Sequence, residues 1–223
     1  YKEMKLVPNF FSKKNIIKKN ANKEIKFKLI SSFAIFYDVD NPSKFCNDIE
    51  GLLDDNGIWI CEFSYLPLML KNLTFDQICH EHLCYYTLRS FNKIISKHNL
   101  QILDFSFNEI NGGSVEIVCA KKNSSHLPKK EKIKNQLSYE ESINSNSFKK
   151  FNARIENTKT MLNFFLTKIG KRDVIAYGAS TKGNIVLNHC EINNKQIKYI
   201  CDANPYKYNK YTPGSNLKII SKK

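Results

Sequence analysis

The sequence lacks the features that mark several common classes of protein. No apolar run approaches the length that spans a bilayer, and no signal-peptide pattern is present. The seven cysteines form no CxxC pair and their number is odd, which argues against a secreted disulfide scaffold or a structural zinc site. We therefore expect a cytoplasmic protein without membrane contact.

Arginine is also scarce. The formal net charge of +14 is typical of proteins that bind nucleic acid, but only Arg89, Arg154 and Arg172 are arginines. Proteins that read bases use the planar guanidinium for bidentate contacts, whereas the excess charge here is lysine spread along the whole chain. A lysine-rich solvated surface is the better interpretation, and we expect no nucleic-acid partner.

The first hundred residues have the pattern of an α/β fold. Glu24–Tyr37 holds a short continuous apolar run, which is typical of a buried parallel strand. Asn41 and Pro42 predict the start of a helix, with Gly57 following its end. A second buried strand is predicted over residues 57–63. Strand, helix and strand at this spacing indicate a crossover unit of a parallel sheet.

A hairpin and a long helix are predicted next. After a helix capped by Thr87, two β-rich stretches at 100–110 and 114–120 are joined by Asn111-Gly112-Gly113, a strong hairpin signal. The polar, lysine-rich stretch 121–146 is predicted to be a linker or an exposed helix. From Phe148 the apolar spacing predicts a long amphipathic helix that ends at Gly170.

A second α/β unit is predicted after this helix. It begins with a strand at Asp173–Tyr177, continues through a glycine-bearing turn and a helix, and reaches a further strand at Ile197–Cys201. The turn over residues 178–184 has the spacing of a phosphate loop without its Lys and Ser/Thr, so it is not an NTPase motif. The backbone N–H groups at the helix start can receive a diphosphate, with Lys182 adding charge. A plain strand-to-helix turn explains the same residues equally well.

Two histidines flank a carboxylate in His80-Glu81-His82, with Cys79 and Tyr85 close by. The segment follows a strand end, so it is expected at the carboxyl edge of the sheet, where ligands bind in α/β folds. A histidine steered by a carboxylate suits proton abstraction next to a carbonyl. Cys79, His80, His82 and Cys84 are also possible zinc ligands, but their spacing matches no standard zinc site, and we expect no metal.

A specific resemblance supports the proton-transfer interpretation. FDQICHEHLCYYTLRSFNKIISKHNLQILDFSFNEINGGSVEIVCAKK resembles the signature region of the S-adenosylmethionine-dependent sugar C-methyltransferases. VIAYGASTKGNIVLNHC and YICDANPYKYNKYTPGSNL resemble the C-terminal domain of the same family. Together the matches cover most of residues 57–123 and 173–217. In one departure, Cys79 stands where the family commonly has tyrosine. If that tyrosine assists the proton transfer in the family, this protein must rely on His82, rely on Tyr85 or Tyr86, or use a somewhat different substrate.

The resemblance implies a three-part enzyme with an N-terminal zinc domain, a cofactor-binding domain and a nucleotide-binding-like C-terminal domain. Here we expect a Rossmann-like methyltransferase half-domain ending in a β-hairpin (1–123), a polar linker and long helix (124–170), and a truncated Rossmann-like α/β domain (171–223). The zinc domain and the main S-adenosylmethionine loop are absent. We therefore expect an incomplete, inactive fragment of a methyltransferase.

The resemblance also implies roles for individual residues in the methylation of a nucleotide-linked keto-sugar. The catalytic residues are His82, Glu81, His80 and Tyr85. The strand-end segment contributes Ser32, Phe33 and Phe36 to the cofactor site. The substrate-binding residues are Asn111, Gly112, Gly178, Ala179, Ser180, Thr181, Lys182, Gly183 and Asn184. The alternative is an NAD(P)- or nucleotide-binding oxidoreductase or binding module centred on 178–202, which leaves the HEH segment without a role.

Overall fold

The computed structural model describes residues 4–21, 23–169 and 174–222. These residues form two compact units. The first contains the chain up to Met69 together with Leu83–Ile143, and the second contains Leu70–His82 and the chain from Asn144 onward. The division of the chain into domains at 1–123, 124–170 and 171–223 stays a prediction.

The first unit is built on a four-stranded mixed sheet with the order β1-β2-β4-β3. Strands β1 and β2 are parallel, and β4 runs antiparallel to both β2 and β3. The elements in chain order are α1 (Lys13–Lys19), β1 (Phe27–Phe33), α2 (Pro42–Leu52), β2 (Leu53–Ser64), α3 (Leu66–Asn72, of which the last three residues belong to the second unit), α4 (Leu88–Ile95), β3 (Leu100–Asn108), β4 (Ser114–Lys121) and α5 (Lys130–Glu140).

The predicted crossover unit is confirmed. Helix α2 has Asn41 as its N-cap, whose side chain accepts a hydrogen bond from the Lys44 N–H, and Pro42 at its first position. The prediction that Gly57 follows the end of α2 is wrong, because the chain passes from α2 into β2 at Leu53 and Gly57 lies inside the strand. A Cβ atom at Gly57 would lie 2.7 Å from the Phe27 carbonyl oxygen. Glycine is therefore needed where β1 approaches β2 closely, inside the strand.

Strand β1 is parallel, as predicted, but it is not buried. It lies at the edge of the sheet and pairs with β2 alone within the described residues. Leu29 is 59% exposed and Phe33 is 52% exposed. The apolar run predicted a buried strand, but the described part of the chain leaves several of these apolar side chains partly exposed.

The core of the first unit is strongly aromatic. Phe36, which has no exposed surface, packs against Trp59, Phe63, Tyr86 and Phe91 with ring centroids 5.0–6.2 Å apart. The Phe63 ring is stacked on Phe36 and the other three are tilted or edge-on, and offset-stacked and edge-to-face arrangements are the favourable ones for aromatic pairs. The predicted hairpin between β3 and β4 and the Thr87-capped helix α4 are both present.

Helix α5 occupies the stretch that was predicted to be a linker or an exposed helix. Its residues Ile133 and Leu137 pack against the core of the first unit. At its N-terminal end, Asp104 of β3 accepts hydrogen bonds from Lys129 at 2.6 Å and from Lys132 at 2.7 Å. The helix is therefore an attached layer of the first unit, because both apolar and ionic contacts fix it to the sheet.

The second unit contains a three-stranded parallel sheet with the order β5-β6-β7. Its elements are α6 (Ser145–Ile169), β5 (Ile175–Tyr177), α7 (Thr181–His189), β6 (Tyr199–Asp202) and β7 (Lys218–Ser221). The long helix and the second α/β unit are confirmed, although the sequence pattern missed β7. The predicted helix end at Gly170 and the predicted strand start at Asp173 lie outside the described residues.

All seven cysteines are free thiols. Among the described residues, no helix is long and apolar enough to cross a membrane.

Candidate functional site

The predicted site residues divide between the two units. His80, Glu81 and His82 belong to the second unit, as does the glycine turn, whereas Tyr85 and the hairpin turn belong to the first. The cofactor residues predicted at the end of β1 also belong to the first unit. Each group therefore has its own local geometry.

In the first unit, residues 83–86, which follow the HEH turn in the chain, lie at the carboxyl edge of the parallel strands. The backbone N–H of Leu83 donates to the carbonyl oxygen of Tyr37, which follows β1, at 2.9 Å. The N–H of Leu66, which follows β2, donates to the carbonyl oxygen of Tyr86 at 3.0 Å. Residues 83–86 thus contact the chain just beyond both parallel strands, the position at which α/β sheets bind ligands.

The hairpin turn reaches the same edge. The N–H of Tyr65, directly after β2, donates to the carbonyl oxygen of Gly113 at 3.1 Å. Asn111 has a left-handed backbone with φ 56°, a conformation that asparagine tolerates better than most residues. The N–H of Gly112 donates to the Glu109 carbonyl oxygen at 3.1 Å, so this N–H is engaged within the turn. The Asn111 side chain is half-buried.

His80, Glu81 and His82 form a tight turn. The His82 N–H donates to the Cys79 carbonyl oxygen at 3.3 Å and closes the turn. His80 and Glu81 are exposed and His82 is half-buried. The two imidazoles and the carboxylate therefore belong to one short, accessible loop, in which a substrate can reach them.

The Glu81 carboxylate has two partners within this turn. Its own backbone N–H and the Cys79 thiol both donate to it, and together with weaker attraction from His80 and His82 they hold the pKa of the Glu81 carboxyl below its usual value. Burial in turn raises the pKa of the Cys79 thiol. Glu81 is therefore an ionised acceptor, and Cys79, the departure from the family pattern, is one of the groups that stabilise its charge.

The three predicted cofactor residues occupy different environments. The hydroxyl of Ser32 is buried and accepts a hydrogen bond from the Trp59 indole N–H at 2.9 Å. Phe36 is a core residue without exposed surface. Phe33, at the end of β1, is 52% exposed. Of these three residues, only Phe33 has a side chain exposed enough to contact a cofactor, and this contact would be apolar.

Tyr85 and Tyr86 also differ. Tyr86 is buried, and its phenol lies near the thiols of Cys46, Cys61 and Cys84. Burial raises the pKa of the Tyr86 phenol well above its ordinary value. Tyr85 is half-buried. Of the two, Tyr85 is the accessible one and Tyr86 is a core residue.

One carboxylate near the edge was missed from the sequence. Glu62, near the end of β2, is 5% exposed and accepts a hydrogen bond from the Asn108 side-chain amide at 2.9 Å. Glu116 lies directly opposite it on β4. The neighbouring Ser64 hydroxyl is buried without a hydrogen-bond partner among the described residues. The sequence signal for Glu62 is a carboxylate inside the largely apolar strand sequence GIWICEFS, since buried carboxylates are rare.

In the second unit, the glycine turn joins β5 to α7. Gly178 has φ +95°, and a Cβ atom at Gly183 would lie 2.8 Å from the Gly178 carbonyl oxygen. Ser180 is the N-cap of α7, and its hydroxyl accepts from the Gly183 N–H at 3.2 Å. Ala179 is buried, Thr181 is exposed, and Lys182 and Asn184 are half-buried. The structure thus brings residues 178–184 together in one strand-to-helix turn.

Asp202, at the end of β6, closes this turn from the neighbouring strand. Its carboxylate accepts from the Ala179 N–H and the Asn204 N–H, each at 2.8 Å, and pairs with Lys207 at 3.2 Å. These contacts hold the pKa of the Asp202 carboxyl below its usual value, with the Asn204 N–H as the largest cause. Because the carboxylate is engaged by the protein, it is poorly placed to receive the ribose of a dinucleotide.

No group of three or more His, Cys, Asp or Glu side chains within residues 4–21, 23–169 and 174–222 is arranged to hold a metal ion.

Several known proteins are similar to this chain. A C-methyltransferase from Streptomyces niveus, NovU, is 27% identical over 199 residues, which cover 87% of this chain and 47% of NovU. The chain thus spans about half the length of this curated relative. The structure of PKMT2 from Rickettsia typhi is similar over 48% of this chain and 37% of its own, with 12% identity and a TM-score of 0.35.

A further solved structure is that of the magnesium protoporphyrin IX methyltransferase ChlM from Synechocystis PCC 6803. It covers 45% of this chain and 48% of its own, with 13% identity and a TM-score of 0.35. With such low TM-scores, the assignment of the α/β fold rests on the two observed sheets themselves.

A family model provides the assignment. The model described as the C-methyltransferase C-terminal domain matches residues 109–223, a little over half of the chain. The matched region begins at the hairpin turn of the first unit and includes the glycine turn and the parallel sheet of the second. The chain belongs to the C-methyltransferase family defined by this domain.

Proposed function

We propose that the protein containing this chain transfers a methyl group from S-adenosylmethionine to a carbon atom of a nucleotide-linked keto-sugar. The match of residues 109–223 to the C-methyltransferase model carries this proposal. The relative NovU is also a C-methyltransferase. The keto-sugar comes from the resemblance of the HEH segment and of the C-terminal stretches to the sugar C-methyltransferases.

The proposed chemistry begins with removal of a proton. His82 takes the proton from the carbon next to the ketone, and the electrons of the broken C–H bond form an enolate. The ionised Glu81 in the same turn stabilises the positive charge that His82 acquires. His80 and Tyr85 supply further polar contacts to the sugar.

The enolate oxygen requires a hydrogen-bond donor. The Asn111 side chain, a substrate contact in the sequence-based prediction, is the proposed donor. S-adenosylmethionine, when bound, supplies an electrophilic methyl group on a sulfonium. The enolate carbon forms the new C–C bond, and the sulfur retains the electrons of the broken S–C bond. Phe33 is the proposed apolar contact to this donor.

The glycine turn of the second unit is the proposed site for the nucleotide diphosphate. Residues 178–184 place several backbone groups at the start of α7, where the helix dipole favours an anion. Lys182 adds a positive charge next to the turn. Gly183 is required there, because any side chain would meet the Gly178 carbonyl oxygen.

The proton-transfer step can be tested separately from methyl transfer. The full-length protein is incubated in D2O with a nucleoside-diphosphate keto-sugar, and deuterium at the carbon next to the ketone is followed by NMR. We expect His82→Asn to slow this exchange and methyl transfer about 100-fold or more, in the range that general base catalysis provides. The control His126→Asn changes a half-buried histidine of the first unit that contacts the Asn56 carbonyl oxygen. Exchange at the wild-type rate in His82→Asn would exclude His82 as the base.

A further inference from the structure

Glu140, the last residue of α5, is a buried carboxylate with an unusual set of partners. Only 5% of the residue is exposed. Its Oε1 atom accepts from the Leu88 N–H at 2.7 Å and from the Tyr65 hydroxyl, and its Oε2 atom accepts from the Arg89 N–H at 2.8 Å. A carboxylate at the N-terminus of a helix is favourable, and here it comes from a different helix.

These partners lie at the end of β2 and at the start of α4. Tyr65 immediately follows β2, and Leu88 and Arg89 begin α4. Residues 66–87, which include the HEH turn, leave the first sheet after Tyr65 and return just before Leu88. Glu140 therefore joins the departure point and the return point of this excursion. The backbone pairing of Tyr65 with Tyr86 lies at the same junction.

Helix α5 is itself held firmly, so Glu140 has a fixed position. Asp104 binds Lys129 and Lys132 at the other end of the helix, and Ile133 and Leu137 are packed against the core. Gln136, one turn before Glu140, donates to the Tyr65 hydroxyl at 2.6 Å. The contact of Glu140 with Tyr65 is thus part of a network, and such networks rigidify the elements they join.

We propose that Glu140 is a positioning residue that clamps the two ends of the 66–87 excursion and thereby holds the HEH-bearing segment in its reactive conformation. The positioning role rests on the proposed function, whereas the clamp itself does not. The proposal assigns a function to a helix in the stretch that was predicted to be a linker or an exposed helix. Catalysis by a base requires its geometry to be held closely, because small displacements of reacting groups cost large factors in rate.

The clamp can be measured without turnover, through the thiol of Cys84. Cys84 lies within the excursion and is half-buried, and Cys201 of the second unit is a half-buried thiol that serves as an internal reference. Alkylation of the full-length protein by iodoacetamide is followed at each cysteine by mass spectrometry. In Glu140→Gln, one carboxylate oxygen becomes an amide NH2 group. This donor faces the backbone N–H of Leu88 or Arg89, which is also a donor, so one hydrogen bond of the clamp is lost.

We expect Glu140→Gln to raise the rate at Cys84 relative to Cys201 about tenfold or more, as the loss of charge-assisted hydrogen bonds predicts. Tyr65→Phe removes one of the clamp's donors with little change in shape, and we expect a smaller rise in the same direction. Glu141→Gln is the matched control, because Glu141 is exposed and pairs with Arg89 on the surface. Equal rates at Cys84 in all four proteins, or parallel rises at Cys84 and Cys201, would overturn the clamp.

The positioning role is tested by methyl transfer at a temperature where every variant is folded. We expect Glu140→Gln to lower kcat roughly ten- to a hundredfold while KM changes less, because the base is misplaced whereas the proposed diphosphate turn, residues 178–184, lies outside the excursion. An unchanged kcat in a variant with faster Cys84 alkylation would overturn this role. If the wild-type protein methylates no keto-sugar, the proposed function fails, and the alkylation result still decides whether the clamp exists.

Discussion

The attachment of α5 to the first unit makes the stability of that unit depend on pH. Asp104 on β3 accepts hydrogen bonds from Lys129, Lys132 and the Phe105 N–H. The two lysines are the main cause of the pKa of Asp104 falling from 3.8 to about 2. Asp104→Asn removes the charge with little change in shape, so the variant measures how strongly this anchor holds the helix.

The size of the effect follows from the pKa difference. A folded-state pKa of about 2 against 3.8 in the unfolded chain corresponds to about 2 kcal/mol, as an upper limit, at neutral pH. The Asp104 side chain is 28% exposed, so solvent screening reduces the expected loss in Asp104→Asn to about 1 kcal/mol. Because the folded-state pKa is lowered, this stabilisation is present above pH 4 and is lost as the pH falls towards 2.

The assay uses Trp59, the single tryptophan of the sequence, which is fully buried in the core of the first unit. Urea unfolding is followed by its fluorescence from pH 7 to pH 2 in the wild type, in Asp104→Asn and in the control Glu109→Gln, which changes an exposed carboxylate. The free energies of unfolding of wild type and Asp104→Asn should converge as the pH falls. A difference that is constant over this range, or absent at pH 7, would refute the ionic anchor.

Two further substitutions test residues of the predicted binding sites. Ser32→Ala leaves the buried Trp59 indole N–H without its acceptor, so we expect a loss of about 1–3 kcal/mol in the free energy of unfolding, whereas Ser31→Ala, at an exposed neighbour, should change it little. A stable Ser32→Ala protein with weakened S-adenosylmethionine binding would instead favour a direct cofactor contact. Gly183→Ala places a methyl group 2.8 Å from the Gly178 carbonyl oxygen, and we expect a loss of about 1–3 kcal/mol by thermal unfolding; a melting temperature equal to that of Thr181→Ala would contradict this close approach.

Short sequence patterns predicted the helix caps and the hairpin turn, which are determined by residues close together in the chain. The Asn41-Pro42 pair, the Thr87 cap and the Asn111-Gly112-Gly113 turn act within a few residues, and each is found where the sequence placed it. The burial of β1 could not be predicted in this way. An apolar run indicates that a strand is suited to burial, but the neighbours in the sheet decide whether its side chains are covered.

The stretch 121–146 was predicted to be a linker or an exposed helix, and α5 confirms the helix; only its attachment to the first unit was missed. Its sequence, KEKIKNQLSYE, is mostly polar, and only Ile133 and Leu137 mark an apolar face. Its attachment depends on Asp104 and Tyr65, which are distant in sequence and carry no local signal. The buried role of Glu140 therefore became visible only when β3, α4 and α5 were placed together.

The HEH cluster was found from its composition, whereas its internal chemistry required geometry. The sequence suggested that Glu81 orients His82. In the turn, the pKa of the Glu81 carboxyl is lowered mainly by its own backbone N–H and then by the thiol of Cys79, the residue that departs from the family pattern.

The same contacts explain why this arrangement suits a base. Hydrogen bonds to a carboxylate favour its ionised form, and the pKa of Glu81 is lowered accordingly. Glu81 therefore carries its negative charge throughout the range in which an imidazole takes up a proton. An ionised neighbour stabilises a protonated imidazole, the form that His82, as the proposed base, would reach after removing a substrate proton. Cys79 thus supports the proposed base indirectly, by maintaining the charge of the residue between the two histidines.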